Sequence, residues 1–369
     1  MRSSTAGIAV LVAAWAGGLA ASGCGSDENM RLQPDPRVCS GNWRVVFSPD
    51  QTLTAPFDLT GDVFIRTRGD RVFVNPDALG RAPAGIRSLP TGGGPESIVF
   101  DGWARAFWIE DDQVLAVSLA ALQRRPLAGG NVETVLSLDW LSAINALYSP
   151  WELDRDALYW AEYDYVQNTL WRAPRDGSDK QQLATLPLDD DGTLLQVGAL
   201  QLLDDGRLVA VSGRHIFTIP KAGGALRDVK VADGMVAPIG IAPDGTMLWT
   251  KFAGNSDGNH PRDSLVKQRV DEDTPGETLM TYDVLSVKPV QAVPDGNGGF
   301  YVMVLEYGTD GGIHATVWAM DAGDHMSRIA CDPEIGRLPT GGAGTPDALY
   351  AVVEDVNLSW QVVAVSRTP

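Results

Sequence analysis

The sequence predicts an all-β fold, a β-propeller of seven blades closed into a ring. Three observations predict it. Turn glycines follow strands at intervals of about 45 residues, the period of a four-stranded blade. A second series, a short turn followed by β-branched and aromatic residues, runs in step with the first. No amphipathic helix of useful length separates these strands, as a doubly wound α/β fold would require. Trp140 to Leu147 offers one or two helical turns at most.

The glycine markers are Thr91-Gly92-Gly93, Ala128-Gly129-Gly130, Asp176-Gly177, Ala222-Gly223-Gly224, Pro275-Gly276 and Asp321-Ala322-Gly323. The final strand, Gln361 to Ser366, ends the chain where a seventh marker would fall. The strand that precedes the second marker is read as Val114 to Leu119. The turn-plus-strand series reads Asp70 to Val74, Ala106 to Ile109, Asp156 to Trp160, Asp205 to Ala210, Asp244 to Trp249, Gly298 to Val302 and Asp347 to Ala351. Asp-Gly before such residues is turn chemistry followed by a strand. These strands are apolar at consecutive positions, as strands buried on both faces between neighbouring blades must be. Asp156 to Leu186 is the most regular unit, with strands over 158–161, 169–172 and 182–186.

A two-sheet sandwich is the competing all-β architecture, but it demands no unit every ~45 residues. The first unit, Asp62 to Gly93, is short, and if it is not a full blade the count falls to six. The last unit has no fourth strand of its own. Trp43 to Phe47 is a strand without a hairpin partner, so it is expected in the outer place of the last blade, where it would close the ring.

Composition bounds the function. The chain has 369 residues, 44% hydrophobic and 21% charged, which is globular. Its formal charge of −18 repels phosphate backbones and argues against nucleic-acid binding. A monomer is expected.

The N-terminus carries an address. Arg2 is followed by the apolar run Ile8 to Ala16 and by the small residues before Cys24, too short a stretch for a transmembrane span. The end, Ala21-Ser22-Gly23-Cys24, resembles a bacterial lipobox, with Ala21 where leucine is more usual. That resemblance implies a signal peptide over 1–23, cleavage before Cys24 and lipidation of Cys24. Several acyl chains on one residue anchor stably, whereas one does so marginally. The competing reading is an ordinary secretory signal. Residues 24–38 read as a polar tether with Pro34 and Pro36, leaving 39–369 as the propeller domain. Localisation in the bacterial cell envelope follows, at the periplasmic or outer surface.

With Cys24 lipidated, Cys39 and Cys331 remain as a pair, and export permits a disulfide between them. Such a bond would close a loop of nearly the whole domain, worth roughly 4–5 kcal/mol in the chain-entropy picture. The alternative is two unpaired buried thiols. The spacing and the Leu158-Tyr159-Trp160-Ala161 and Asp-Gly motifs are similar to exported bacterial propellers of the TolB-like and YWTD-like groups. That similarity implies architecture and leaves function open.

Catalytic motifs are absent from the sequence. There is no G-x-S-x-G elbow. His215, His260, His314 and His325 show no metal-site spacing, and none is assigned to a metal. Asp111-Asp112, Asp189 to Asp191 and Asp271 to Asp273 lack the calcium-loop pattern, so no cofactor is expected and calcium has no motif behind it.

Two stretches stand out as binding candidates. Ala253 to Asp263 is an insertion carrying Asn255, Asp257, His260 and Arg262. Long loops on a rigid scaffold carry binding function, although a plain surface insertion reads the same way. The turn after Trp160 sets Glu162, Tyr163 and Tyr165 together, with Tyr307 in the matching place three units later. Two classes of function remain: a membrane-held binding or scaffold propeller for a protein or glycan, and a cation-dependent enzyme of the lactonase or lyase kind.

Overall fold

A computed structural model describes residues 43–47, 64–75, 85–139, 149–163, 166–188, 197–213, 215–229, 235–252, 262–272, 276–283, 287–307, 313–332, 341–354 and 360–367. The lipobox, the tether and Cys39 lie outside these residues.

The first strand is β1 (Trp43–Phe47). Blade one follows as β2 (Phe64–Arg68), β3 (Arg71–Asn75), β4 (Ile86–Pro90) and β5 (Ser97–Phe100). Blade two is β6 (Ala106–Glu110), β7 (Gln113–Val117), β8 (Ala121–Pro126) and β9 (Glu133–Ser137). Blade three is β10 (Trp151–Leu153), β11 (Ala157–Tyr163), β12 (Asn168–Pro174) and β13 (Gln181–Leu186). Blade four is β14 (Val197–Leu202), β15 (Arg207–Ser212), β16 (His215–Pro220) and β17 (Arg227–Asp228). Blade five is β18 (Met235–Ile241), β19 (Thr246–Phe252), β20 (Arg262–Arg269) and β21 (Glu277–Asp283). Blade six is β22 (Val287–Pro294), β23 (Phe300–Tyr307), β24 (Ile313–Met320) and β25 (Met326–Asp332). Blade seven is β26 (Gly341–Gly344), β27 (Ala348–Glu354) and β28 (Trp360–Ser366), and β1 completes it.

Every blade is a four-stranded antiparallel meander, and seven are seen among the described residues. The expected closure is present. Val45 of β1 lies opposite Val363 of β28, which makes β1 the outer strand of the last blade. Blade one is complete through Phe100, so the six-blade alternative falls away. Blade two differs from the sequence reading in detail. The run taken as one strand before Gly129 ends at Val117, and the glycine turn follows a further strand, β8. The connection between them, 118–120, is too tight and too poor in turn residues to have marked the break.

Seven apolar clusters hold the ring, one at each seam between neighbouring blades. Trp108 of blade two meets Trp151 and Trp160 of blade three, and Tyr159 of blade three meets Phe217 of blade four. Ile65 of blade one meets Tyr350 of blade seven, so the last seam is packed like the others. Second strands supply more of this core than any other strand position: β3, β7 and β15 are buried at every position but the first. Trp160 and Trp249, both fully buried, show why: a strand between two blades has no solvent face. First strands of neighbouring blades approach one another, β18 against β22 and β2 against β6, so they line the central channel.

Candidate functional site

The two rims of the ring are unlike. Connections from first to second strand, and from third to fourth, open on one rim, called here the turn rim. The former are 69–70, 111–112, 154–156, 203–206, 242–245, 295–299 and 345–347, and the longest of the latter is 270–276. Connections from second to third strand, and from blade to blade, open on the opposite loop rim. They include 48–63, 76–85, 138–150, 187–196, 253–261 and 333–340. Long connections are thus segregated to one side.

The turn rim is built for rigidity. Aspartates cap their own turns: Asp205 Oδ1 accepts from the Arg207 amide at 3.0 Å, and Asp244 Oδ1 from the Thr246 amide at 2.9 Å. Gly206 and Gly245 take the positive φ that these turns need, at 80° and 87°. The residue that follows the third strand reaches across the seam in three blades. Arg175 makes a two-pronged pair with Glu110 at 2.8 and 2.6 Å. Lys221 Nζ lies 2.6 Å from Asp154 Oδ2, and Arg367 Nη2 lies 2.7 Å from Asp295 Oδ2. Burial would raise the Asp154 carboxyl, but Lys221 and the amides of Ala157 and Asp156 outweigh it and hold it below its usual value.

On the loop rim, blade three carries the sequence-derived candidates. Glu162 and Tyr163 end β11 there, both half-buried. Lys180 reaches within 3.9 Å of Glu162 and lies 4.3 Å over the Trp171 ring. Behind them Trp151, Trp160 and Trp171 stack with centroids 5.7 and 6.3 Å apart. Leu119, Val166 and Leu188 stand exposed on this rim at blades two and three, Val166 at 74%.

Tyr165, Asn255, Asp257 and His260 lie outside the described residues. Arg262 opens β20, but its side chain lies outside them too. The connection 253–261 opens on the same rim as Glu162 and Tyr163 but two blades away. Of the two candidate groups, Glu162 and Tyr163 are the residues with described side chains. Tyr307 ends β23 on that rim as well. Cys331 falls in β25, the outer strand of blade six, as expected, while the proposed bond to Cys39 lies outside the described residues.

Two histidines lie beside aspartates. His215 Nδ1 is 3.7 Å from Asp228 Oδ2 and stacks on Phe217. His325 sits exposed in its turn beside Asp321. Among the described residues no three or more His, Cys, Asp or Glu side chains gather as a metal ion would need.

The channel holds a group that sequence reasoning passed over. Glu152 is the middle residue of β10, with Trp151 and Leu153 turned into the core on either side. Its side chain keeps some contact with solvent, yet protein surrounds the carboxyl closely enough that desolvation dominates. Burial lifts it to about 7, against the opposing pull of the Arg66 guanidinium, the Leu153 amide and the Trp108 indole. Arg66 and Trp108 are themselves the middle residues of β2 and β6. The signal was a lone acid in a short apolar strand, hidden because β10 was not recognised as a strand.

No family model and no curated protein matches the sequence. Solved structures do match in fold. An oligogalacturonate lyase in complex with manganese aligns over 88% of this chain and 91% of its own, with a TM-score of 0.55 and 12% identity. The oligogalacturonate lyase of Vibrio parahaemolyticus aligns over 88% and 96%, with a TM-score of 0.56 and 11% identity. A puromycin-hydrolysing peptidase of Mycobacterium tuberculosis aligns over 88% of this chain and 54% of its own, with a TM-score of 0.56 and 12% identity. At these identities the likeness is one of fold: a β-propeller.

Proposed function

We propose that this chain is an exported, lipid-anchored binding propeller whose partner, a protein or glycan, seats on the loop rim. One observation carries the reading: every long connection opens on that rim, while the other is closed by short capped turns and cross-seam ion pairs. A rigid ring that presents long loops on one side is built for recognition. The exposed Leu119, Val166 and Leu188 add apolar contact area of the kind interfaces use. Chain direction agrees. Trp43 pairs with Val365 beside the turn rim, and Arg44 Nη1 donates to the Gly92 carbonyl in a turn of blade one at 2.8 Å. The described chain therefore enters the ring from the turn rim.

A cation-dependent lactonase or lyase is the second reading, and Glu152 in the channel is what favours it. A hard cation takes six or more oxygen ligands, and the described residues bring no such set to Glu152. The binding reading stands first on the segregation of the long connections to one rim.

Replacing 253–261 by a two-residue Asn-Gly turn is expected to leave the thermal midpoint unchanged and to remove partner recovery after crosslinking in native membranes. Unchanged recovery counts against that connection as part of the binding face. Mass spectrometry of the mature N-terminus is expected to show an acylated Cys24, and an unmodified Cys24 ends the anchor claim.

A further inference from the structure

At three seams the residue after the third strand of one blade pairs with an acid of the blade before it. At the seam of blades one and two that place is held by Leu127, which packs against the apolar cluster of the seam instead. A cleft of about 480 Å³ opens there on the turn rim, in the size range of small-molecule sites.

Blade one supplies its polar wall. Phe73, Ser88 and Ser97 stand in register across β3, β4 and β5, and Arg71 lies two residues before Phe73, on the same face. Arg71 Nε donates to Ser88 Oγ at 2.5 Å, and Arg71 Nη2 donates to Ser97 Oγ at 3.3 Å. Each hydroxyl accepts from the guanidinium, so its own proton is left to donate. Arg71 Nη1 makes no hydrogen bond among the described residues. A guanidinium and two hydroxyls lining one space are suited to a carboxylate.

Blade two supplies the opposite charge. Asp112 borders the cleft from the turn between β6 and β7, and its carbonyl accepts from the Leu127 amide at 2.7 Å, which ties the two turns together. The Asp112 side chain is exposed, and its carboxylate has no ion pair or hydrogen bond among the described residues. Arg71 and Asp112 thus border one cleft without pairing with each other, and Phe73 and Leu127 give it an apolar lining.

We propose that this cleft is a binding site for a free α-amino acid with an apolar side chain. Arg71 and the hydroxyls of Ser88 and Ser97 hold its carboxylate, Asp112 holds its ammonium, and Phe73 and Leu127 receive its side chain. A plain anion would leave Asp112 unmatched and meet a protein of charge −18; a plain amine would leave Arg71 unmatched. A zwitterion answers both charges. This proposal does not rest on the loop-rim reading.

Equilibrium dialysis of the full chain in detergent against radiolabelled L-leucine, at neutral pH, tests it. Saturable binding of leucine is expected. As competitors, isocaproate, which lacks the amine, and isoamylamine, which lacks the carboxylate, should each be about tenfold weaker than leucine or worse. Asp112→Asn should lose about tenfold in leucine affinity at an unchanged thermal midpoint. Ala128→Trp, at an exposed position of the cleft wall, should abolish binding, again with the midpoint unchanged. Absence of saturable leucine binding overturns the proposal. So does isocaproate competing as well as leucine, or full leucine affinity in Asp112→Asn or Ala128→Trp.

Discussion

Replacing Arg367 by alanine is expected to lower the stability of the propeller by about 3 kcal/mol, the low end for breaking a buried ion pair. Arg367 lies two residues from the last position of the chain, yet it joins three things. It pairs with Asp295 of blade six at 2.7 Å, donates to the Met320 carbonyl at 3.1 Å, and lies 5.0 Å over the Tyr301 ring. The Asp295 side chain is 1% exposed. Its Oδ1 already accepts from the amides of Asn297 and Gly299 at 2.7 and 2.9 Å. Without Arg367 a buried carboxylate keeps those amides and loses its counter-charge, and the last blade loses a tie to its neighbour. Arg124→Ala is the control. Arg124 and Glu133 pair within one blade with side chains 49% and 61% exposed, where a pair is worth about 0–1 kcal/mol. Denaturant melts should separate the two variants by roughly 2 kcal/mol or more. Equal losses would remove the cross-seam pair from the account of how the ring is held.

Glu152→Gln is expected to stabilise the protein above pH 7 and not at pH 4.5. An unfolded chain releases this proton near 4.5, whereas the folded channel holds it until about 7. Between those values the folded state binds more protons than the unfolded one, so stability falls as pH rises and then levels off above 7. At about 1.4 kcal/mol per pKa unit, the full effect is up to about 3 kcal/mol. Glutamine removes the ionisation and with it this slope. Urea melts of both proteins at pH 4.5, 6 and 8 should show curves that diverge with pH. Parallel curves would mean that Glu152 ionises in the folded channel as it does in water.

The fold was legible because its repeating chemistry is local. Asp205-Gly206 and Asp244-Gly245 are turn pairs, and the runs that follow them are apolar on both faces because a second strand is enclosed by two blades. Closure was legible too, since Trp43 to Phe47 had no neighbour to pair with and β28 had a free edge. Of the first strands only β6 was legible, as Ala106 to Ile109, and it was placed in the series that elsewhere marks second strands. The others stand beside the channel and need no apolar run, and two are also short: β10 is Trp-Glu-Leu, and β26 is Gly-Gly-Ala-Gly. Glu152, Arg66 and Trp108 come together only when three such strands are placed round one axis, which no local pattern encodes. On the rim, Glu162 and Tyr163 were found because aromatics beside a carboxylate at a strand end are visible in one stretch of chain. That their side of the ring also carries the long connections follows from strand order alone.

The loop rim as binding face is tested most directly by a photo-crosslinking amino acid placed at single positions on each rim of the native, membrane-bound protein. Leu119, Tyr163 and Leu188 probe the loop rim; Asp156, Asp205 and Asp271 probe the turn rim. Irradiation is expected to give the same discrete adducts from the first three positions and none from the second three. Adducts from the turn rim alone would contradict the account.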